Sequence, residues 1–325
     1  MKLLLLSAAD IERALPMRRA VEVTKEAFRA FSAGEAEIPQ RTSMPFADGA
    51  GTLLIKPGAL AGRVLGAKLA AVVPGNAERG LPATSALMVC LSPQTGEPQA
   101  LLDGTGLTAW RTGAASGAAT DLLAEPAARV AAVFGAGGQA RAQVLAIAAV
   151  REVEEVRICS PTRDRAEALL DRLRDEVGCT LRYTASAAEA LAGAAIVCTA
   201  TTSSQPVFAD ADLAAGAHVN AIGSFRPEMR EVPPETVARA GIVVDSRAAA
   251  ALEAGELAHA VDAGASVPEA WVELGDLVAG AAPPRIPEGG VTLFKSVGLA
   301  VQDLAAAAAV LDTARREGLG QTITL

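Results

Sequence analysis

The chain has 325 residues, enough for two domains that each bury a core. Because 51% of its residues are apolar and only 20% are charged, the composition excludes a disordered or fibrous protein. The net charge of -8 argues against nucleic acid and anionic membrane surfaces as partners, so an anionic ligand would need a local cluster of cationic side chains.

The cysteines predict buried free thiols in a reducing compartment. Cys90, Cys159, Cys179 and Cys198 form no CxxC pair, lie mostly in apolar runs and have no histidines at metal-ligand spacing. The apolar run in MKLLLLSAAD is too short for a signal peptide, and no uninterrupted apolar stretch is long enough to cross a bilayer. We therefore expect a cytoplasmic protein without a metal site or a membrane partner.

The first part of the chain is predicted to be a mixed α+β unit. A helix begins near Pro16 and places Val21, Phe28 and Phe31 on one face. Small residues from Thr105 to Leu123 predict a second helix that packs closely on its neighbours. The extended segments predicted around these helices are Leu3–Leu6, Gly51–Ile55, Val64–Val73, Ala86–Leu91 and Gln99–Asp103.

After Pro126, apolar strands alternate with helical segments. The predicted helices are Gly137–Val150, about 162–176 and, near the end of the chain, about 297–317, after which the tail QTITL is expected to return to the first unit. The alternation predicts right-handed βαβ units, and hence an α/β fold with a Rossmann-type, doubly wound parallel sheet. The predicted strands are Val130–Phe134, Val156–Cys159, Leu181–Thr184, Ala195–Thr199, His218–Ile222 and Ile242–Asp245.

The stretch VAAVFGAGGQARAQ has the features of a dinucleotide-binding turn. Gly135, Gly137 and Ala140 fit G-x-G-x-x-A between a predicted strand and a predicted helix. The first glycine makes the turn, the second lets a pyrophosphate approach the backbone, and the third small residue lets the helix pack on the strand. The N–H groups at the helix start then face the phosphates. A plain glycine turn is the alternative, and the later βα units favour the nucleotide.

The end of the second strand of this unit bears on the choice of cofactor. In NAD proteins an acid at this place binds the ribose hydroxyls. Here the strand VRIC continues into Ser160, Pro161, Thr162 and Arg163, with no acid. Hydroxyls and an arginine suit a 2′-phosphate, so NADP(H) is the predicted cofactor and NAD(H) the alternative. The simpler interpretation of Arg163 is a solvated side chain that binds no ligand.

Several stretches, spread in order over most of the chain, are similar to one known family. The chain resembles the ornithine cyclodeaminase/mu-crystallin family. The stretches that carry the resemblance are IPQRTSM (38–44), LGAKLAAVVPGN (65–76), LTAWRTGAASGAAT (107–120), VFGAGGQA (133–140), NAIGSFRPEMRE (220–231) and LFKSVGLAVQDL (293–304).

The resemblance implies a division of the chain and a set of site residues. It implies a substrate-binding and dimerisation domain at 1–118, with about 300–325 returning to it, and an NAD(P)-binding Rossmann domain at 119–299. It also implies a homodimer formed by sheet-to-sheet association, and a small cyclic imino or amino acid bound between the domains. The family's carboxylate-binding residues fall on Arg41, Lys68 and Arg111, and we expect Thr84 beside them. The additional cofactor contacts expected are Thr112, Gly138, Gln139, Thr199, Thr201, Ser224 and Ser296.

Physical reasons also single out the cationic residues. Lys68 lies inside a long apolar strand, Arg111 interrupts an alanine- and glycine-rich helix, and Arg41 directly precedes a strand. A buried cation is costly unless an anion meets it, and the guanidinium fork of arginine matches a carboxylate. The alternative is that the three residues are unrelated surface cations. Lys68 fits this alternative least, and Arg41 fits it best. Lys68 and Arg111 are the predicted catalytic residues.

Two residues depart from the family's pattern. The cyclodeaminases have an acid/base aspartate two residues after the glycine of the segment NAIGSF, and here that place holds Phe225. Phenylalanine cannot exchange a proton, which argues against cyclodeamination. Lys56 stands where the family usually has an apolar residue. The simplest interpretation is that Lys56 lies at the end of a strand, where its ammonium group is solvated.

The predicted function is NAD(P)H-dependent reduction of a cyclic imino acid, Δ1-pyrroline-2-carboxylate or Δ1-piperideine-2-carboxylate, to L-proline or L-pipecolate. Such an imine binds already protonated, so the site must only hold the carboxylate and present a hydride. The alternatives are an ornithine cyclodeaminase, an alanine dehydrogenase-like enzyme, and a non-catalytic carrier like mu-crystallin. His218 and His259 are expected to be packing or surface residues rather than bases.

Overall fold

The computed structural model describes residues 1–281, 283–284, 286 and 288–325. The chain divides into two compact units, a first unit of Met1–Arg111 with Leu299–Leu325 and a second unit of Thr112–Gly298. The boundary at Arg111 falls inside the helix Gly104–Leu123, which also contains the predicted boundary at residues 118 and 119.

The helices and strands agree closely with those predicted in the first hundred residues and in the first part of the Rossmann unit. The strands are, in chain order, β1 (Lys2–Leu6), β2 (Ala36–Glu37), β3 (Thr42–Phe46), β4 (Gly51–Leu60), β5 (Val64–Val72), β6 (Thr84–Leu91), β7 (Pro98–Asp103), β8 (Val130–Phe134), β9 (Glu155–Cys159), β10 (Thr180–Thr184), β11 (Ile196–Thr199), β12 (His218–Ala221), β13 (Ala240–Val244), β14 (Val272–Glu273), β15 (Val291–Lys295) and β16 (Gln321–Thr324). The helices are α1 (Ala8–Ala14), α2 (Met17–Ser32), α3 (Gly104–Leu123), α4 (Ala140–Val150), α5 (Arg163–Leu173), α6 (Ala187–Leu191), α7 (Pro234–Ala238), α8 (Arg247–Glu253), α9 (Gly255–Asp262), α10 (Leu274–Val278) and α11 (Ala300–Glu317).

The first unit is a mixed sheet packed against helices. Its strand order is β16-β1-β7-β6-β5-β4-β2, with β3 also paired to β4, and β1 and β7 are its parallel pair. The tail strand β16 pairs with β1, which confirms the predicted return of QTITL. Helix α11 packs on β4, β5 and β6. A Cβ atom at Gly58 of β4 would lie 2.9 Å from Leu304 Cδ1, so glycine there allows α11 to lie close to the sheet.

The second unit is a parallel sheet with helices on both faces. Its strand order is β10-β9-β8-β11-β12-β15-β13-β14, and each adjacent pair is parallel. Alternate residues of β8 enter different cores, because side chains alternate across a strand. Ala131 and Val133 pack with α4 and α5, whereas Ala132 and Phe134 pack with α6, α8 and α9. This arrangement confirms the predicted Rossmann-type fold.

The structure corrects the prediction in several places, and α1, β2, β14 and α6 to α10 were not predicted. Lys56 is 8% exposed and lies opposite Lys68 in the pair β4–β5, so it is not at a solvated strand end. Helix α4 begins at Ala140 rather than Gly137, so the glycines form the turn before the helix. Strand β15 was not predicted, although it lies between β12 and β13. All of its residues are buried, and a short run that is buried on both faces shows no strand periodicity. Within the described ranges, no helix is both long and apolar enough to cross a bilayer.

Candidate active site

A buried cluster of charges lies in the first unit, where β5, α3 and α11 meet. Lys68 Nζ donates to Asp303 Oδ1 at 2.8 Å, and Arg111 Nε donates to the same oxygen at 2.9 Å. The Arg111 guanidinium also donates to Gln302 Oε1 at 3.0 Å. Lys68 Nζ donates to Thr108 Oγ1 at 2.9 Å. Lys68 is 2%, Arg111 4% and Asp303 1% exposed, so the whole group is out of water.

These contacts change the ionisation of the lysine and the carboxylate. Burial lowers the pKa of Lys68 to about 8, because the desolvated ammonium and the nearby Arg111 outweigh the attraction of Asp303. Burial alone would favour the neutral acid at Asp303, yet the charges of Arg111, Lys68 and Lys56 hold its pKa below the usual value. Asp303 is therefore a carboxylate at neutral pH.

The cluster keeps hydrogen-bonding capacity for a ligand. An ammonium has three N–H donors and a guanidinium has five. Asp303, Thr108 and Gln302 use two donors of Lys68 and two of Arg111. Among the described residues, Asp303 Oδ2 and Gln302 Nε2 are also buried without a hydrogen-bond partner. Unpaired buried polar atoms are costly, and a bound polar ligand would satisfy them.

Asp303 was not found from the sequence, and it corrects part of the argument for a ligand. The anion that meets Lys68 and Arg111 in the folded chain is a side chain of α11, so burial of these cations does not by itself require a bound carboxylate. The sequence contained a usable signal, because Asp303 interrupts the apolar helix AVQDLAAAAAV in the same way that Lys68 interrupts its strand.

The other predicted substrate residues lie at different distances from this cluster. Arg41, half-buried just before β3, is close enough for its charge to lower the pKa of Lys68. Thr84 is exposed at the start of β6 and pairs with Val72. Val72 is four residues beyond Lys68 on β5, or about 13 Å along the strand. The structure therefore does not place Thr84 in the cluster.

The glycine turn of the second unit has the geometry expected for a phosphate-binding turn. Gly135 adopts φ 101°, a left-handed conformation that favours glycine, and its N–H donates to Cys159 O at 2.8 Å. A Cβ atom there would lie 2.7 Å from Ala200 O, so the turn lies against the loop after β11. No atom of the described residues lies within 4 Å of where a Cβ atom would stand at Gly137 or Gly138.

Residues near this turn also have unused polar atoms. Ala140, which begins α4, is fully buried, in agreement with the packing role of the third small residue. Gln139 Oε1 and, at the end of β11, Thr199 Oγ1 are buried and have no hydrogen-bond partner in the described part of the chain. The open backbone at the turn and these polar atoms fit a dinucleotide.

A buried carboxyl group, Glu231, links the loops that follow β11 and β12. Glu231 Oε1 accepts from Thr201 N at 2.6 Å, and Oε2 accepts from Gly223 N at 2.7 Å and Ser224 N at 3.1 Å. In Rossmann folds the dinucleotide lies at the carboxyl ends of the strands, where these loops are. Burial raises the pKa of Glu231, and the nearby Lys295 opposes that shift. Glu231 therefore fixes the backbone of the expected cofactor loops.

Ser224 belongs to an internal network rather than to an open surface. Its hydroxyl donates to Glu256 Oε2 and accepts from Lys295 Nζ at 2.6 Å, and all three residues are buried. Ser296 is similarly occupied, because its hydroxyl donates to Asp245 Oδ2 at 2.9 Å. The same oxygen accepts from the backbone N–H of the two residues that follow Ser296. Both serines shape the loops after β12 and β15, and their side chains are already bonded.

The residues predicted to select NADP(H) lie directly after β9. Ser160 is buried, and its hydroxyl accepts from Thr162 N at 3.2 Å. Arg163 begins α5 with 69% of its side chain exposed, donates to Glu167 at 2.8 Å and lies 5.5 Å from the centre of the Tyr183 ring. Its guanidinium is accessible, and both neighbours hold it in place.

Three further predicted positions lie in α3, in β12 and directly after β12. Thr112 is buried in α3. His218 is fully buried, bonded to Thr292 Oγ1 at 2.8 Å and to Asn220 Oδ1 at 3.2 Å. Burial lowers its pKa to about 4, so it stays neutral and serves packing, as predicted. Phe225 follows β12, with the Arg226 guanidinium 5.4 Å from its ring centre.

The four cysteines are free, as predicted, although Cys159 and Cys179 are only half-buried. In the residues that the structure describes, no group of histidine, cysteine, aspartate and glutamate side chains has the arrangement of a metal site.

The fold and these sites define a class of protein, an α/β protein with a dinucleotide-binding Rossmann unit and a second unit that contains a buried cationic cluster. The ornithine cyclodeaminase/mu-crystallin family profile matches residues 1–318. The chain is also 37% identical over 324 residues to a Δ1-pyrroline-2-carboxylate reductase of Bacillus cereus, covering 99% of each. The chain belongs to the ornithine cyclodeaminase/mu-crystallin family.

Solved structures agree with this assignment. The chain is similar to the Δ1-pyrroline-2-carboxylate reductase of Thermococcus litoralis in complex with NADH and L-proline, with a TM-score of 0.93, 33% identity, and coverage of 99% of this chain and 100% of that one. It is also similar to an archaeal alanine dehydrogenase dimer with bound NAD, with a TM-score of 0.90, 33% identity and full coverage of both chains.

Proposed function

We propose that this protein reduces the C=N bond of a cyclic imino acid of the Δ1-pyrroline-2-carboxylate or Δ1-piperideine-2-carboxylate type, using a nicotinamide nucleotide. The observation that carries this proposal is the buried pair Lys68 and Arg111, which share Asp303 and still have unused N–H donors. The Bacillus cereus and Thermococcus litoralis relatives, both Δ1-pyrroline-2-carboxylate reductases, support it.

The chain's own residues need to do little chemistry in such a reaction. Lys68 and Arg111 would hold the substrate carboxylate through charge-assisted hydrogen bonds, which fixes the ring and excludes water from the carboxylate. A bound nicotinamide nucleotide supplies the hydride. The imine carbon accepts that hydride, and the C=N π electrons become the lone pair of the amine. A protonated imine brings its own proton from solvent, so Phe225 in place of an acid is no obstacle.

The test is NADPH oxidation with a panel of substrates. We expect turnover of five- and six-membered cyclic imines with a 2-carboxylate, with L-proline or L-pipecolate as the product. The panel also contains 2-oxo acids with ammonia or methylamine. Turnover of the oxo acids alone would make the protein an amino-acid dehydrogenase, and binding without any turnover would make it a carrier.

The proposal extends to NADP(H) as the preferred cofactor. No acid follows β9, and Ser160, Thr162 and the accessible Arg163 suit a 2′-phosphate. We expect tighter binding of NADPH than of NADH in a fluorescence titration, and Ser160→Asp should reverse the order, because its carboxylate would repel the phosphate and accept from ribose hydroxyls. Tighter NADH binding by the unmodified protein would contradict this preference. That outcome would make the protein like the two solved relatives named above, which hold NADH and NAD.

A homodimer and a cytoplasmic location are further parts of the proposal. On the sheet face opposite Lys68, Ile55, Leu69 and Leu87 lie side by side on three neighbouring strands, and Leu87 is 43% exposed. An apolar row of this kind suits association of two sheets, and the archaeal relative is a dimer. Sedimentation velocity should give twice the chain mass of 32.9 kDa.

The four free thiols support the proposed cytoplasmic location, which is a reducing compartment.

A further inference from the structure

A network of four buried residues lies at one edge of the parallel sheet in the second unit. Its members, called here the Glu231 network, are Ser224, Glu231, Glu256 and Lys295. Ser224 follows β12, Lys295 ends β15, and Glu231 bonds to the loop after β11. Glu256, in the first turn of α9, accepts from both Ser224 and Glu231. The carboxyl ends of parallel strands meet at this edge, where a Rossmann unit binds its dinucleotide.

The strand order places the Glu231 network beside the nicotinamide half of such a ligand. The order β10-β9-β8-β11-β12 is the 3-2-1-4-5 order of dinucleotide-binding folds, which are built from two mononucleotide-binding halves. In these folds the glycine turn after the first strand binds pyrophosphate, and the end of the second strand binds the adenosine ribose. The loops after β11 and β12 belong to the other half of the sheet, so we expect them to hold the nicotinamide.

Glu231 sets the direction of three peptide groups in these loops. It accepts from Thr201 N at 2.6 Å and from two N–H groups of the loop after β12 at 2.7 and 3.1 Å. In a trans peptide the carbonyl oxygen points away from the following N–H, so the three carbonyl groups point away from Glu231. The first of them, Ala200 O, faces the glycine turn, since a Cβ atom at Gly135 would lie 2.7 Å from it. These oxygens suit the N–H groups of a carboxamide and a positive ring.

The Glu231 network holds more negative than positive charge. Both oxygens of Glu231 accept from backbone N–H groups, and the oxygens of Glu256 accept from Glu231 N and from the Ser224 hydroxyl. This is the pattern of two ionised carboxylates, which can only accept. Lys295 Nζ lies 3.4 Å from Glu256 Oε2. Burial raises the pKa of Glu231, and Lys295 opposes that shift. Two carboxylates thus share one ammonium in a part of the protein where charges are weakly screened.

We propose that the Glu231 network positions the nicotinamide half of the cofactor, and that its excess negative charge strengthens binding of the oxidised nucleotide relative to the reduced one. The oxidised nicotinamide ring is a cation and the reduced ring is neutral, so a nearby negative charge stabilises only the oxidised form. This inference rests on the nicotinamide nucleotide of the proposed function and assigns positioning residues to it.

The same charge would favour the proposed reduction. Hydride carries two electrons from the neutral ring to the imine carbon, the C=N π electrons become the lone pair of the amine, and the ring is left positive. An interaction that is stronger with the positive ring than with the neutral one stabilises the transition state more than the ground state. The network therefore promotes hydride donation without contact with the imino acid.

The experiment compares three ligands in the absence of any imine. They are NADP⁺, NADPH and adenosine 2′,5′-bisphosphate, which lacks the nicotinamide half, and calorimetry measures their affinities. Glu256→Gln removes one negative charge and leaves Glu231 on the loops. We expect the affinity for NADP⁺ to fall about tenfold more than that for NADPH, the order of effect of one nearby charge inside a protein. Binding of the bisphosphate should be unchanged. If the protein prefers NADH, then NAD⁺, NADH and ADP replace these ligands.

A second variant tests positioning as well as charge. In Glu231→Gln an amide N–H2 replaces one of the oxygens that accept from the loops, so the loops lose part of their support. We expect weaker binding of both NADP⁺ and NADPH, with the larger loss for NADP⁺ and none for the bisphosphate. Glu152→Gln is the matched control, because its side chain is 93% exposed and lies between α4 and β9, at the opposite edge of the sheet.

The outcomes separate this inference from the proposed reduction. An NADP⁺-to-NADPH affinity ratio that is the same in both variants and in the unmodified protein would overturn the inference. An equal loss for all three ligands would also overturn it, since that result indicates a general role in stability. If the expected ratios are found but no cyclic imine is reduced, the inference holds and the proposed reduction is wrong. If the unmodified protein binds no nucleotide, both are wrong.

Discussion

Lys68→Ala and Arg111→Ala are each expected to lower kcat/KM for a cyclic imino acid on the order of a hundredfold or more, as loss of a charged hydrogen bond of roughly 3 kcal/mol would. The reason is that each side chain has N–H donors beyond those that Asp303 and its neighbours use. Steady-state kinetics with saturating NADPH measures the loss. The affinity for NADPH should change little in Lys68→Ala, because Lys68 is not among the residues predicted to contact the cofactor.

The pH dependence gives this prediction a sharper readout. The pKa of Lys68 is about 8 in the folded chain, and only the protonated lysine attracts a carboxylate. Since kcat/KM reports groups of the free enzyme, it should fall as the pH rises above about 8. Lys68→Arg keeps its charge and should move this fall to higher pH. Asp303→Asn removes the anion that stabilises the ammonium and should move it to lower pH.

Two results would contradict the role of Lys68 and Arg111. Near-normal turnover in both alanine variants would place the carboxylate site elsewhere. An alkaline fall in kcat/KM that is unchanged in both Lys68→Arg and Asp303→Asn would show that another group, such as the imine itself, titrates there. Lys2→Ala, which removes an exposed cation of the first unit, is the control for general loss of positive charge.

Ornithine is expected to give no detectable proline or ammonia with catalytic NAD under conditions in which the imine is reduced rapidly. Cyclodeamination requires a group that accepts a proton while hydride leaves the amine-bearing carbon, and that later assists ring closure. By the sequence resemblance, we expect Phe225 at the place where the family's cyclodeaminases have that group, and its ring cannot exchange a proton. His218 is no substitute, because it is fully buried, bonded to Thr292 and Asn220, and neutral with a pKa of about 4.

Measurement of ammonia release and proline formation tests this expectation, with imine reduction in the same preparation as the positive control. Phe225→Asp alone should not create an efficient cyclodeaminase, since the positions of water and amine would also have to be organised. If ammonia were released from ornithine at a rate comparable to imine reduction, this expectation would be wrong, and a residue other than Phe225 would be the acid/base.

The sequence alone determined the strands β8 to β13 and the helices α4 and α5 of the Rossmann unit, because hydrophobic periodicity and glycine turns are local properties of the chain. Gly135, Gly137 and Ala140 could be assigned from their spacing, and the structure places the two glycines in the turn between β8 and α4 and Ala140 at the first position of α4. The position of β15 between β12 and β13 could not be assigned in this way. Strand order depends on which apolar faces are buried together, and a strand that is buried on both faces gives no periodic signal.

The sequence also identified Lys68 and Arg111 as unusual, since each is a cation in an apolar or small-residue segment. Only the tertiary structure shows which anionic side chain pairs with these two cations. Asp303 is 235 residues from Lys68 and 192 from Arg111 along the chain, and its carboxylate reaches both because α11 packs on the sheet that carries β5. The position of Lys56 opposite Lys68 was likewise decided by strand register. Charges interact through space, so the balance of a buried site depends on the packing that brings distant segments together.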